Sequence, residues 1–526
     1  METACLRQTE IPHTSRLFSD FQYHFDRVAR FYAHCPADAS AYAAVAKEMS
    51  FPAERRAELI AALRVRNGDS PSLERLARPD TVAVVTGQQV GLFSGPSYTI
   101  YKALTAARLA SQLTAQGIPA VPIFWLATED HDFAEVNHCF VFDAEHRPIT
   151  LSVNGSGGSA ERPVGTIQIT DPPLAQLREA LSAFPHGAEV ADMVEQTYRP
   201  GTTFGAAFQA LLQRLLSKLG LLFIDPLDEA IRRMAAPLLR EALRDRAKLH
   251  EKLLERNKEL EAAGYHAQVH LEPKTSLVFL LEGDRRITLR KQNGEFVSKD
   301  RRFTAEDLMK LADHLSPNAL LRPVVQDYVL PTVGYVGGPA ELAYMAQSEV
   351  IYKDLLERMP VMSARSGFTL LDARTGKLMK RYGLTLPNFF HGDEAVRGAI
   401  AQTLVPSTLA QEFEHVHKTT VESLDKLRDN LVTFDATLAA AADKSRAKIL
   451  HQLSKLERKT ARETVNRNAR ALADANYMCG LIYPEKHLQE RFYSILPFVA
   501  KHGPELINQL CENIHLDCPD HKILFV

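Results

Sequence analysis

The chain has 526 residues and nearly balanced charge, 62 Lys plus Arg against 64 Asp plus Glu, so bulk composition offers no basic footprint for nucleic acid. No run reaches the length of a transmembrane helix, and the opening METACLRQTEIPHTSR lacks the apolar centre of a signal peptide, so a cytoplasmic protein without membrane partners is expected. Six scattered cysteines argue against a disulfide framework and suit a reducing compartment.

Residues up to about 80 read as mostly helical, with Phe21, Phe25, Val28 and Phe31 forming an amphipathic series that packs on a core. Residues 82–85 then form a continuous apolar stretch, as expected of a parallel strand buried on both faces. Gly87, Gly91 and Gly95 follow, letting the backbone turn sharply and approach a ligand. Pro96 suits the first turn of a helix whose free amides and positive dipole end point back at the loop. An anion is the expected guest. The spacing is neither GxGxxG nor GxxxxGK[ST], and the competing reading is a plain strand-to-helix turn. Tyr98, Thr99 and Lys102 favour the site, because their spacing sets hydroxyls and an ammonium on one helix face.

A second strand, residues 121–127 (VPIFWLA), runs straight into Thr128, Glu129, Asp130, His131 and Asp132. Ligands of open α/β sheets sit at the carboxyl ends of strands. Three carboxylates beside an imidazole there need a cation, a proton or a basic partner, so perturbed pKa values are expected. A helical continuation would put His131, Glu135 and His138 on one face, a pattern compatible with a metal but lacking HExxH. Against a metal, an acidic helix turn with His131 as a hydrogen-bonding core residue is preferred. Cys139 reads as a small buried thiol rather than a nucleophile. Residues 154–159 (NGSGGS) read as a flexible loop, and residues 221–225 (LLFID) as another strand ending in an acid.

Between about 240 and 315 the pattern is interrupted by a charged helix and short strands near 276–281, 286–290 and 295–298, with Asn293-Gly294 as a hairpin turn. A small insertion fits better than a new domain. Arg322, Gln326 and Asp327 then precede a strand at 332–336, which leads into Gly337, Gly338, Pro339, Ala340 and Glu341 and repeats the strand, glycine, proline and helix logic. Arg365 follows a strand at 361–364. A single arginine is more often a surface ion pair, but Lys102, Arg322 and Arg365 together can hold a polyanionic substrate. The alternation argues for a doubly wound α/β core.

Leu424, Leu427, Leu431, Phe434 and Leu438 recur three and four apart, and Ile449, Leu453 and Leu456 resume the pattern. This is a coiled-coil seam. Its disturbed phase over 435–442 predicts a hairpin of two long helices, with one continuous helix as the alternative, and its projection predicts a homodimer. Residues 483–498 return to the core, where Gln489 and Arg491 line the site or cap it. Cys511, His515, Cys518 and His521 have ligand types that suit zinc, but the spacing matches no standard finger, so packing and surface roles are preferred.

Four segments, TGQQVGLFSGPSYTIYK (86–102), VPIFWLATEDHDFAEVNH (121–138), RPVVQDYVLPTVGYVGGPAELAY (322–344) and YPEKHLQERFYSILPF (483–498), resemble in sequence and order the BshC family, cysteine ligases of bacillithiol biosynthesis. The similarity runs nearly end to end, though the Cys/His cluster is not part of it. The resemblance implies a Rossmann-like core with inserted connecting elements, a coiled coil used for dimerisation, and a role in joining cysteine to glucosaminyl malate, which completes a low-molecular-weight thiol. The expected organisation is N-terminal helices and the first part of the core (1–240), an inserted helix and small β subdomain (241–315), the second part of the core (316–405), coiled-coil helices (406–475) and a segment returning to the core (476–526).

Forming an amide in water requires an activated carboxylate, most simply through ATP as an acyl adenylate or acyl phosphate. The glycine loops can cradle phosphates, and Glu129, Asp130 or Asp132 can hold Mg2+. His131 is the expected base, oriented by Asp130 or Asp132, and Lys102, Arg322 and Arg365 are candidate partners of malate carboxylates. Gln88, Gln89, Gly91, Gly95, Tyr98, Thr99, Asn137, Gln326, Gly337, Gly338 and Glu341 complete the candidate binding set. The rivals are a sugar or nucleotidyl transferase using the same cleft, and a coiled-coil scaffold whose cleft only binds a ligand. A scaffold does not need a dense acidic cluster beside a glycine loop.

Overall fold

The computed structural model describes residues 3–154, 161–299 and 301–526; beyond Asn154, the predicted glycine-rich loop lies outside them. Five parallel strands form the central sheet: β1 (Val82–Gln89), β2 (Ala120–Ala127), β3 (Leu222–Ile224), β4 (Thr332–Gly337) and β5 (Val361–Ala364), in the order β5-β4-β1-β2-β3. Alternate residues of β2 enter different cores, Val121, Ile123 and Trp125 on one face and Phe124 and Leu126 on the other. Two-sided burial is why the strand reads as an unbroken apolar run rather than an alternation. Helix α1 (Tyr98–Ala115) carries the chain from β1 to β2, and α2 (Pro339–Leu355) from β4 to β5. At β1 the chain order reverses, with β2 and β3 to one side and β4 and β5 to the other. Connections leave β1 and β4 in opposite directions, which opens a crevice at their carboxyl ends.

The inserted segment is the helix Arg246–Ala262 and an antiparallel sheet in the order Arg301–Phe303, Glu295–Ser298, Arg285–Gln292, Thr275–Glu282, Leu315–Pro317. Asn293 and Gly294 have φ of 53° and 84°, the paired left-handed conformation that an Asn-Gly hairpin turn supplies at little cost. A third sheet pairs Thr3–Leu6 antiparallel with His521–Phe525, which runs parallel to Phe368–Leu371. The Thr3–Leu6 strand departs from the helical reading of the first eighty residues, because its partner lies far along the chain and leaves no local signal.

The coiled coil is a hairpin of α3 (Ser407–Phe434) and α4 (Ala436–Asn466). Asp435 breaks it with extended backbone and caps the second helix, accepting from the Thr437 amide at 2.7 Å. The ion pairs Asp425–Arg446 and Arg428–Asp443 show that the helices run antiparallel. Leu424 and Leu431 are half-buried between them, whereas Leu427 (51%), Leu456 (54%) and Phe434 (82%) remain exposed. Among the described residues, no helix is long and apolar enough to cross a membrane. At the C-terminal end His521 is buried, with Nε2 2.8 Å from the Thr369 hydroxyl. Among the described residues no three His, Cys, Asp or Glu side chains converge as metal ligands, so the Cys511, His515, Cys518 and His521 spacing does not assemble a zinc centre.

Candidate functional site

A cavity of about 620 Å³ opens at the carboxyl ends of β1, β2, β4 and β5, a size that suits a small-molecule ligand. Its acidic side is the end of β2. Glu129 is 6% exposed, and burial pushes its carboxyl up to about 7 against the opposing pull of Arg286 and the Ser316 hydroxyl. Asp130 accepts from Gln89 Nε2 at 2.6 Å and from the His131 amide at 2.8 Å. Arg286 arrives from the inserted sheet. It lies 3.9 Å over the Phe279 ring and donates to Ser316 Oγ (3.0 Å), the Pro317 carbonyl (2.9 Å) and His131 Nδ1 (3.2 Å). A guanidinium can only donate. His131 Nδ1 is therefore the acceptor, and the neutral ring carries its proton on Nε2.

The facing wall is cationic and fully braced. The Lys102 ammonium donates to the Gly87 carbonyl (3.0 Å) and Gln88 Oε1 (2.7 Å) and pairs with Glu341. Glu341 in turn accepts from the Gly338 amide and the Tyr335 hydroxyl, each at 2.7 Å. Burial would raise this carboxyl, but Lys102 and the Gly338 amide hold it below the ordinary carboxylate range. Arg322 donates to Gln326 Oε1 and Tyr344 Oη, both at 2.9 Å. Arg365 makes a two-pronged pair with Glu490 at 3.0 and 2.6 Å and lies over the Tyr98 ring. Lys102, Arg286, Arg322, Arg365 and Arg491 thus face three lining carboxylates, Glu129, Asp130 and Glu341, with Glu490 as a fourth behind Arg365. That excess, with the amino end of the 17-residue α2 opening at Gly338 and Pro339, favours an anionic ligand.

Of the residues expected from sequence, Glu129, Asp130 and His131 line the cavity, with Gln88, Gln89, Tyr98 and Lys102 beside them and Arg322, Gly338, Glu341 and Arg365 opposite. Gly91, Gly95, Thr99, Asp132, Asn137, Gln326 and Gly337 do not. The segment after β1 folds inward. Leu92, Phe93 and Ser94 are fully buried, the Gly91 and Gly95 amides bond to the carbonyls of Gln89 and Leu92, and a Cβ on Gly91 would meet Gly95 Cα at 3.0 Å. These glycines serve a close approach of the chain to itself, and the helix that opens onto the cavity with its amino end is α2. Asp132 is exposed at the start of the four-residue helix Phe133–Val136, and Asn137 faces His138. Gln326 stands behind Arg322, and Gly337 accepts from the Arg365 amide. His131, Glu135 and His138 fall in the loop after β2, on that short helix and on a following strand, so no metal face forms among the described residues. Glu129 and Asp130 are both drawn to Arg286 and Asp132 lies apart; this donor set does not fit magnesium.

Arg286, Tyr335, Tyr344 and Glu490 are site residues that sequence reasoning missed. For Glu490 a signal existed, since a carboxylate in a segment returning to an arginine-lined core needs a cationic partner.

Comparison with known proteins bears on the whole chain. Residues 1–366 match the family model described as "Bacillithiol biosynthesis BshC, N-terminal Rossmann-like domain", and residues 368–526 match "Bacillithiol biosynthesis BshC, C-terminal coiled-coil domain". A protein of Solibacter usitatus named "Putative cysteine ligase BshC" is 53% identical over 526 residues, covering 100% of both chains. Proteins of the same name from Koribacter versatilis (36% identical, 99% of each chain) and Salinibacter ruber (32%, 97% of this chain and 96% of the other) align as fully. With a Rossmann-like parallel sheet, a helical hairpin where the second model falls and relatives matched from end to end, the chain belongs to the BshC family.

Proposed function

We propose that this protein is a ligase that joins the carboxylate of cysteine to the amino group of glucosaminyl malate, working in the cytoplasm on small-molecule substrates. The observation that carries the reading is a buried carboxyl with a pKa of about 7, Glu129, facing a cation-rich wall in one cleft. Arg322 and Arg365 keep N–H groups beyond those already bonded, and with the amino end of α2 they bind the malate carboxylates. The attacking amine forms a C–N bond to the carbonyl carbon of the activated cysteine. The C–O bond from that carbon to the activating phosphate or adenylate breaks, its oxygen leaves with the electron pair, and the amine must lose a proton. Ionised Glu129 accepts it, at a pKa matched to neutral pH. His131, locked with its proton on Nε2 by Arg286, donates to the oxygen that gains charge as the carbonyl is attacked. The base role thus moves from His131 to Glu129. ATP supplies the activation of the cysteine carboxylate, and Arg491, which lines the same cavity, is the donor that fits its phosphates, while Lys102 holds the Gly87 loop and Glu341 in place.

The test incubates purified protein with cysteine, glucosaminyl malate and each nucleotide, then follows products and nucleotide fate by mass analysis. The amide with matching ATP consumption is expected. Sugar or nucleotidyl transfer without amide formation would overturn the reading in favour of a transferase.

The exposed Leu427 and Leu456 on the projecting hairpin are proposed to pack against a second copy. The variant L427E/L456E is expected to be a folded monomer by light scattering, where the unaltered protein is a dimer. A wild-type monomer at micromolar concentration would remove this interface.

A further inference from the structure

Asp225 follows β3 directly and does not line the cavity, yet it is tied to the turn that carries Glu129. It is buried, as is Thr128. Its Oδ1 accepts from the Leu227 amide at 3.0 Å and from the Thr128 hydroxyl, and its Oδ2 pairs with Arg66 at 3.0 Å. Both oxygens of this carboxylate therefore accept, and the Thr128 hydroxyl is a donor. Arg66 comes from the helix Ala53–Asn67 and is shared, since it also pairs with Asp228 at 2.6 Å and donates to Gln209 Oε1 at 2.7 Å. The backbone on either side of Glu129 is held from a second direction. The Gly165 amide donates to the Thr128 carbonyl at 3.0 Å and the Val164 amide to the Asp130 carbonyl at 2.6 Å. A Cβ on Gly165 would collide with the Thr128 side chain, so this segment lies directly against it.

We propose that Asp225 is the positioning residue for Glu129: the hydrogen bond it accepts from Thr128, together with the Val164–Gly165 segment, fixes the turn from which the Glu129 carboxyl meets the cleft. The inference rests on the reading of Glu129 as the base. A base held at one height and angle meets the amine proton without first being ordered, and a small misplacement is costly in rate. Asp225 acts through Thr128 and through its charge. The groups that face Glu129 are Arg286, Ser316, Asp225 and Arg322. Burial is the main reason its carboxyl is raised; the two arginines and the Ser316 hydroxyl oppose this, and the Asp225 charge adds to it. Asp225 itself faces Arg66, Thr128, the Leu227 amide and Asp228. Because Arg66 divides its charge between two carboxylates, part of the Asp225 charge is felt at Glu129.

Proton uptake at Glu129 is read without turnover, by carbon-13 NMR of the full-length protein labelled at its glutamate carboxyls, with the Glu129 signal assigned by its loss in Glu129→Gln. Turnover of cysteine, glucosaminyl malate and ATP is followed in parallel across pH. Asp225→Asn is expected to move the Glu129 midpoint and the acid limb of kcat/KM down together, by roughly half a pH unit, because a negative neighbour is gone and Arg66 is left with Asp228 alone. Thr128→Val keeps the charge and loses the hydroxyl. It is expected to lower kcat about 10–100-fold with KM little changed and the midpoint unmoved, and Thr128→Ser to recover kcat. A folded Asp225→Asn protein with an unmoved midpoint, an Asp225→Asn chain that does not fold, or a Thr128→Val protein with unaltered kcat would overturn the proposal and leave Asp225 a purely structural residue. Midpoints that move as expected in a protein that forms no amide would instead overturn the ligase reading and leave the placement of Glu129 standing.

Discussion

Glu129→Gln is expected to lower turnover by ~10²–10⁴-fold while making the protein more stable above pH 7. The amide keeps the shape but cannot take a proton. The stability sign follows from the direction of the shift. The Glu129 carboxyl is raised from 4.5 to about 7 in the folded chain, so folding favours its protonated form. Stability is full below about 4.5 and declines as pH rises through the window to about 7. The loss above that window is about 3 kcal/mol, at 1.36 kcal/mol per unit. Replacing the carboxylate with an amide restores that amount. In the unaltered protein kcat/KM should fall tenfold per pH unit below about 7, as the base becomes protonated. Thermal melts at pH 5 and 8 and a pH–rate profile check both halves. An active Glu129→Gln protein, or one less stable at pH 8, would return the base role to His131.

Glu490→Ala is expected to destabilise the fold by about 3–5 kcal/mol, the usual result of removing one partner of a buried ion pair. The side chains of Arg365 and Glu490 are 7% and 4% exposed, so water cannot replace the lost carboxylate. The Phe368 amide, which donates to Glu490 at 2.9 Å, is orphaned as well. The double variant R365M/E490M should regain most of the loss, because no charge is left buried, yet should bind substrate poorly for want of Arg365. Burial alone would raise the Glu490 carboxyl, but Arg365 dominates and holds it low. This pair therefore stabilises above the ordinary carboxylate range, and that contribution is lost as pH falls, the reverse of Glu129. Urea unfolding of Arg365→Met, Glu490→Met and the double variant measures the coupling. Independent, additive losses would show that the two side chains do not act as a pair.

The strands of the core were legible because burial on both faces leaves unbroken runs of Val, Ile, Phe and Trp, and the charged residues directly after β2 and β4 could only belong at the carboxyl ends. The Asn293-Gly294 turn was legible because local backbone chemistry sets it, and the helical hairpin because the heptad phase is disturbed over 435–442. Gly91 and Gly95 misled, since glycine spacing records that the backbone approaches something closely without saying whether that is a ligand or the chain itself. Arg286 was hidden for a different reason. It sits in RRITLRKQ, where Arg285 and Arg290 look identical to it, and only the placement of the inserted sheet over the β2 end singles it out. The Arg365–Glu490 pair and the sheet joining Thr3–Leu6, His521–Phe525 and Phe368–Leu371 depend on partners far apart in the chain, which no local pattern encodes.

That three-stranded sheet has its middle strand made last. As the ribosome extends the chain, Thr3–Leu6 and Phe368–Leu371 emerge first, and neither has a hydrogen-bonding neighbour until His521–Phe525 follows. Gly367, next to the Phe368 strand, packs against His521 and Glu490, and Glu490 positions the arginine that faces the cavity. A nascent chain can therefore build its central sheet and still lack a finished cleft. On the proposed function, a translation product cut short before residue 521 is expected to be folded in part and to lack activity.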